Sequence, residues 1–413
     1  MLAISNIGEL VVYPPGPIPG RRMNDVQAIP NAVLLIDGST IADFGPADQT
    51  GIPTGCDIID AHGHCVVPGL IDCHTHAVFA GPRENEFVQR IQGRSYVEIA
   101  ESGGGINASV KGIRAASIDD LVQAALPRLK RMLEAGTTTA EIKSGYGLSV
   151  DDELKMLRAI KRLDDLQPIE LVGTYLAAHT IPHDYAGRPD QYLDAVLADE
   201  VFAIIKAEGL AEFCDVFCER SAFDIDQSRR VLGTAKRHGL SPRIHADQIT
   251  QLGATRLAAE VGAVSADHLE TTDDGAIAAL KQAGTIAVLL PACSFFLGVK
   301  QAPARKLIEA DLPVALATDL NPGSSMIESM ALTMSIACTQ MRMTPAEALI
   351  AATANAASAI KRHPKLGAIA PGYRADLLIL DVPNLNQWPY HVGRNCVQTV
   401  IKAGTIAHTT ADD

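Results

Sequence analysis

Eight short runs, almost continuously apolar, recur between residues 66 and 319, and most are followed by a stretch with helical periodicity. They span 66–76 (VVPGLIDCHTH), 137–143, 169–179, 212–219, 242–247, 263–269, 285–291 and 313–319. Strands that read as continuous apolar runs are buried on both faces, as in a parallel sheet covered by helices. Intervening segments such as SIDDLVQAALPRLKRMLEAG, opened by Ser117 as a cap, and ATRLAAEVG supply the helices. Eight strands alternating with helices predict an α/β fold, a (β/α)8 TIM-type barrel, over 67–365. The 413 residues leave room for one appendage. Residues 1–66 show short apolar runs broken by turns, with Asp37-Gly38 as a hairpin signal, and 366–413 return to the same texture in LGAIAPGYRADLLILD and VQTVIKAGTIAHT. The two ends are expected to build one small composite β-sandwich domain. Between barrel and tail, MIESMALTMSIACTQM and TPAEALIAATANAASAIK read as two helical segments, the second capped by Thr344 with Pro345 in its first turn.

The chemistry sits at the ends of the runs. His76, His179, His245, His268 and Asp319 each close one. The C-terminal ends of barrel strands converge on one face, so residues far apart in sequence can meet there. His74 and His76 lie at i and i+2, which on a strand sets two imidazoles side by side. A lone histidine at such a place is more often a hydrogen-bonded core residue; the pair, with ligands from other strands, favours a metal. His74, His76, His245 and Asp319 form a nitrogen-rich donor set suited to zinc, with iron(II) possible and calcium or magnesium disfavoured. Such an ion implies hydrolysis. Asp319 can bind it and accept a proton from water, and His268 can orient the water or stabilise an oxyanion. The second His-x-His, His62 and His64, flanks Gly63 in a turn and is expected to have a surface or structural role rather than to bind metal.

Other features narrow the class. The net charge of −13 argues against nucleic acid or an anionic membrane as partner. The start MLAISNIGELVVYPPG lacks the features of a signal peptide and no apolar run is long enough to span a bilayer, so a cytoplasmic location is expected. The eight cysteines lack C-x-x-C pairs and read as reduced thiols, with Cys214 and Cys218 as packing. Gly103-Gly104-Gly105 has no following Lys-Ser/Thr, so it reads as a flexible flap rather than a phosphate loop. Asn321-Pro322-Gly323 is a turn that can also carry a ligand contact.

With PGLIDxHxH at the first barrel strand, a strand-5 and a strand-6 histidine, a strand-8 aspartate and the tail LGxIxPGxxADLLILD, the chain resembles the amidohydrolase superfamily over nearly its whole length. Strand 4 offers no lysine for a metal-bridging carbamate, so the resemblance implies one divalent ion per subunit, Zn2+ or Fe2+. Lys143, on strand 2, is the one lysine that competes with this reading. The combination HTHAVFAGPRENEF, SGGGI, EIKSGYGL, AAHTIP, HADQ, SADHLE and TDLNPGSS is similar to the imidazolonepropionases, a family of that superfamily. That likeness implies hydrolytic opening of the ring of 4-imidazolone-5-propanoate, and a homodimer. It implies substrate contacts at Arg83, Tyr96, Tyr146, His179, Gln248, Asn321, Gly323 and Ser324, and catalytic roles for His268, Asp319 and Gln248. Physically, Arg83 with Tyr146 can offer a propionate tail a charge-assisted pair of donors. One departure bears on the alternative, a deaminase of a guanine- or cytosine-like ring. Deaminases of the superfamily carry His-x-x-Glu on strand 5, where this chain has Gln248, and an amide transfers no proton near neutral pH. His268 or the proton held by Asp319 is then left to protonate the departing nitrogen.

Overall fold

The computed structural model describes residues 1–94, 98 and 104–410. Five strands open the chain: β1 (Leu2–Val12), β2 (Gln27–Asp37), β3 (Thr40–Pro46), β4 (Asp57–Asp60) and β5 (Cys65–Pro68). Eight parallel strands follow: β6 (Leu70–Thr75), β7 (Thr137–Lys143), β8 (Glu170–Ala178), β9 (Phe213–Cys218), β10 (Ser241–Ala246), β11 (Ser265–His268), β12 (Ile286–Leu289) and β13 (Val314–Leu316). They neighbour one another in sequence order, which is the expected barrel. Three more, β14 (Leu377–Leu380), β15 (Val397–Lys402) and β16 (Thr405–Thr409), join β1–β5 in a second, mixed sheet built from both ends of the chain.

That second sheet has its own core of Ile4, Ile7, Leu10, Leu34, Ile36, Leu377, Ile379 and Ile401, among others. Its β2–β3 hairpin turns at Gly38, whose φ of +57° is a conformation that favours glycine. Backbone bonds from Ile41 to Tyr373 and from Ala375 to Ser39 draw the start of β3 against the approach to β14, so the sheet curls over its core.

The run 66–76, one strand by its sequence, is divided between the two sheets. Pro68 ends β5 as the partner of Leu377, and β6 begins at Leu70. Gly69 makes the passage possible, because a Cβ there would fall 2.5 Å from Thr138 Oγ1 and 2.6 Å from its Cγ2.

Helix ends follow local chemistry. Ser117 and Asp120 form a capping box on helix Ile118–Glu134, and Thr344 with Glu347 does the same for Pro345–Ala351. The expected continuation to Lys361 is broken. Thr353 leaves helical geometry at ψ −88°, its hydroxyl bonding Leu349 O and the Tyr13 hydroxyl, and a separate helix, Ala354–Ala359, starts in a new direction. It packs with Ile71, Val172, Phe213 and Ile286, which lie toward the N-terminal ends of their strands, and so closes the floor of the barrel.

The seam between β13 and β6 has no regular ladder. Asp319 N–H donates to His74 O (3.0 Å) and His76 N–H to Leu320 O (2.9 Å). The Asp72 carboxylate accepts from Thr318 N–H at 3.1 Å and from its hydroxyl at 2.5 Å. Among the described residues no helix is long and apolar enough to cross a membrane.

Candidate active site

His74 and four of the residues singled out at strand ends come together at the C-terminal mouth of the barrel. His74 belongs to β6 and His76 follows it, His245 belongs to β10, His268 ends β11, and Asp319 lies just beyond β13. The His74 ring centroid is 5.5 Å from His76, 4.6 Å from His245 and 5.7 Å from His268. Asp319 Oδ1 stands 3.5 Å from Nε2 of both His74 and His76. The seam sets this juxtaposition, because the bond from Asp319 N–H to His74 O joins the two ligand-bearing segments directly.

Four non-glycine residues at this mouth have left-handed backbone. His268, Leu269, Asp319 and Asp247 have φ of +82°, +71°, +53° and +48°. Each such non-glycine conformation costs on the order of 1–3 kcal/mol and persists only where its surroundings over-determine it.

The fit to a metal rests on the donor atoms. Those of His74, His245 and His268 lie within 4.8 Å of one another, as do those of His74, His76 and Asp319. Asp267 Oδ2 accepts from His74 Nδ1 at 2.6 Å and Asp215 Oδ1 from His245 Nδ1 at 3.1 Å. A carboxylate at Nδ1 leaves the Nε2 lone pair free, which is the tautomer a ligand needs. His74 Nε2 is buried and has no hydrogen-bond partner. An orphaned buried acceptor among three imidazoles and a carboxylate fits a nitrogen-loving divalent ion.

Burial holds the His74 and His76 imidazoles well below the usual range, so both are neutral and able to bind. His179 is pushed down to about 3, chiefly by burial and by the neighbouring His245. His268 moves the other way: burial opposes its charge, but the Glu270 carboxylate at 3.5 Å, with Asp319 and Asp267, outweighs that. Burial raises Asp319, against the pull of His268 and His245.

The residues expected to touch substrate are distributed around this cluster. The His179 ring stacks on His76 at 5.1 Å and lies 5.4 Å from Tyr146, and His179 Nδ1 donates to Gly145 O at 2.9 Å. Arg83 packs against Gly323 and is fastened by Glu86, Nε to Oε1 at 3.0 Å and Nη2 to Oε2 at 2.6 Å. Gln248 points its Nε2 toward Cys293 Sγ at 4.0 Å. The Asn321 amide is engaged within its own turn: Oδ1 accepts from Gly323 N–H and Ser324 N–H, and Nδ2 donates to Asp319 O and Ser324 Oγ. Tyr96 and Gly103 lie outside the described residues. Gly105 N–H donates to Glu86 Oε1 and opens helix Ile106–Ala115. His62 and His64 are remote from the cluster; His62 lies beside Asp60 and His64 pairs with Gln398.

Sequence reasoning named Lys143 only as a rival lysine for a carbamate and missed the other charges beneath the ligands. Glu141, Lys143, Asp215, Arg243 and Asp267 are all fully buried. Lys143 Nζ lies 2.8 Å from Glu141 Oε1 and 2.9 Å from Asp215 Oδ2, and Arg243 Nη2 lies 2.9 Å from Asp267 Oδ2. Engaged in this way, the Lys143 amine is a paired ammonium. Burial pushes both aspartates up, yet Lys143 for Asp215 and Arg243 for Asp267 outweigh it and keep them ionised. A signal was available: FCDVFC, SADH and PRIHAD each place a charge inside an apolar run, which is costly unless it is paired.

Comparison with known proteins agrees with this geometry. The model of the Amidohydrolase family matches residues 65–407. The chain is 48% identical over 395 residues to the imidazolonepropionase of Geobacillus kaustophilus, covering 94% of this chain and 93% of that one. It is 48% identical over 420 residues to the imidazolonepropionase of Chloroflexus aggregans, covering 99% and 98%. Among solved structures, 5-methylcytosine deaminase from Klebsiella pneumoniae superposes with a TM-score of 0.75 over 100% of this chain and 98% of that one, at 18% identity, a likeness of fold alone.

Proposed function

This chain belongs to the amidohydrolase family and, within it, to the imidazolonepropionases, and we propose that it hydrolyses 4-imidazolone-5-propanoate to N-formimino-L-glutamate in histidine degradation. The observation that carries the reading is the gathering of His76, His245 and Asp319 around His74, whose buried Nε2 has no hydrogen-bond partner, in a chain similar to imidazolonepropionases over nearly its full length. In the overall reaction the ring carbonyl carbon gains the oxygen of water, its bond to the ring nitrogen breaks, and that nitrogen leaves with a proton.

His74, His76, His245 and Asp319 would hold a divalent ion, Zn2+ or Fe2+, which when bound polarises a carbonyl and lowers the pKa of a coordinated water to about 7. Asp319, raised by burial, takes the proton of the attacking water and returns it toward the departing nitrogen. His268, kept charged more readily by Glu270, donates a hydrogen bond to the oxygen that becomes negative. His179 presents an unprotonated Nε2, because its Nδ1–H is donated to Gly145 O, and so accepts from a ring N–H. Tyr146 and Arg83 bind the propionate, the guanidinium having Nη1 left over from its fork with Glu86. Gln248 orients the substrate by hydrogen bonds and transfers no proton.

The Gln248 amide weighs against the other chemistry of this scaffold, deamination of a guanine- or cytosine-like ring, which needs an acid–base group at that place. We expect a cytoplasmic homodimer that takes a small-molecule substrate and no nucleic acid, in keeping with the net charge of −13; light scattering checks the dimer. One assay separates the activities: purified, metal-loaded protein consumes the imidazolone chromophore without releasing ammonia. Ammonia released from a nucleobase while the imidazolone persists would refute the proposal. Elemental analysis of the protein as purified identifies the ion.

A further inference from the structure

Lys143 connects the buried charges beneath the candidate centre. It ends β7, two residues after Glu141 and on the same face, and none of its side chain is exposed. Its Nζ is 2.8 Å from Glu141 Oε1, 2.9 Å from Asp215 Oδ2 and 3.9 Å from Asp267 Oδ2. Each of these carboxylates also reaches a ligand segment. Asp215 Oδ1 holds His245 Nδ1 at 3.1 Å, and Asp267 Oδ2 holds His74 Nδ1 at 2.6 Å. Glu141 Oε2 accepts from the backbone N–H of Thr75 at 3.3 Å, and Thr75 stands between His74 and His76. Arg243 serves Asp267 alone among the three, and fastens to the backbone at Cys73 O and Ala359 O.

We propose that Lys143 is a positioning residue for the metal centre: its ammonium fixes the carboxylates that orient His245, Thr75 and His74, so one buried cation sets ligands from two strands four apart in the barrel. The inference rests on the metal assignment made above. The physical reason lies in the pairing of buried charges. A buried carboxylate with a free oxygen turns toward whatever donor will satisfy it. With Oδ2 of Asp215 ion-paired to the ammonium at 2.9 Å, Oδ1 is left facing the imidazole, and the ring is held with Nε2 toward the centre. The same amine braces Glu141 against the backbone between the paired histidines. Partners that orient metal-binding histidines commonly change affinity by about 10–100-fold when removed.

Cobalt(II) is the probe. Wild-type protein, Lys143→Met and Lys143→Arg are stripped of metal, loaded with cobalt, and compared by visible absorption, by chelator competition and by the melting temperature of the metal-free form. Lys143→Met is expected to weaken cobalt binding about tenfold and to alter the absorption bands. Lys143→Arg, which retains the cation, recovers part of both. If Lys143→Met does not fold, Glu141→Gln removes one partner of the lysine and is expected to shift the bands with a smaller loss of affinity. A lysine that only supports the fold would lower the melting temperature and leave spectrum and affinity unchanged in every folded variant, which overturns the proposal. Wild-type protein that takes up no cobalt would overturn the metal assignment and this proposal with it, whereas wild-type uptake with indifferent variants overturns this proposal alone.

Discussion

Gly323 and Arg83 meet so closely that the glycine's missing side chain sets where the guanidinium lies. A Cβ at Gly323 would stand 2.4 Å from Arg83 Nη1 and 2.8 Å from its Cζ. Arginine tips usually move aside, but this one is forked on Glu86 through Nε and Nη2. Gly323→Ala therefore displaces the proposed anion contact. KM should rise while kcat and the melting temperature stay close to wild type; an unchanged KM would show that Arg83 does not hold the propionate. Arg83→Ala removes the contact altogether, with an expected loss in binding of about 1.5–3 kcal/mol, the range for a hydrogen bond to a charged group. At Asp319, replacement by alanine removes both a donor of the candidate metal cluster and the proposed proton acceptor, and turnover should be abolished; full activity would refute its role. His76, His179, His245, His268 and Asp319 were legible because each closes an apolar run, and His74 because it stands two residues from His76 on the same strand face. Asp215 and Asp267 were visible as charges but not as partners, because the groups that pair with them lie on other strands.

At the scale of one element, the loop after β7 shows how a buried acid shapes a pocket. Glu153, in the first turn of helix Val150–Asp164, is fully buried and accepts N–H bonds from Gly145, Gly147 and Leu148, each at 2.8 Å. Leu148 sits at φ +51°, which a non-glycine residue adopts only when held there. The loop carries Tyr146, and its Gly145 carbonyl fixes the His179 tautomer. Glu153→Gln keeps the shape but trades an acceptor oxygen for a donor, leaving a buried N–H unmatched. We expect a loss of about 1–3 kcal/mol in stability together with a raised KM. Equilibrium unfolding and steady-state kinetics check both, and a KM that does not move would detach the loop from substrate binding. The strand–helix alternation around this loop could be read locally. The division of 66–76 between two sheets could not, because Pro68 and Gly69 read as a minor irregularity until Thr138 and Leu377 are placed beside them.

At the scale of the molecule, barrel and terminal sheet are joined by a chain of charges. Glu170, which begins β8, receives Arg362 Nε and Arg374 Nη1, both at 2.6 Å. Arg374 and Lys402 meet on Asp376, and Lys402 also donates to Thr138 O on β7. Burial pushes the Glu170 carboxyl up, but the two arginines outweigh it and hold it below the ordinary carboxylate range. A depressed acid stabilises the fold above its unfolded pKa, about 4.3 for Glu, and that contribution is lost as pH falls through the folded value. Glu170→Gln should thus cost about 1.5–3 kcal/mol near neutral pH, and the gap to wild type should close as pH drops below about 4. Urea midpoints across that range test it; a gap independent of pH would mean that the charge contributes nothing.

The sequence by itself determined the period of each element, the eight strand candidates, the caps at Ser117 and Thr344, and which strand ends carry chemistry. These depend on residues a few positions apart. Only the tertiary structure decided what meets what. The seam joins Asp319 to His74, Lys143 draws together carboxylates from three strands, and the Thr353 break turns the last helix under the barrel floor. Such contacts depend on how a twisted sheet closes, and a single strand's pattern carries no record of its neighbour across the barrel.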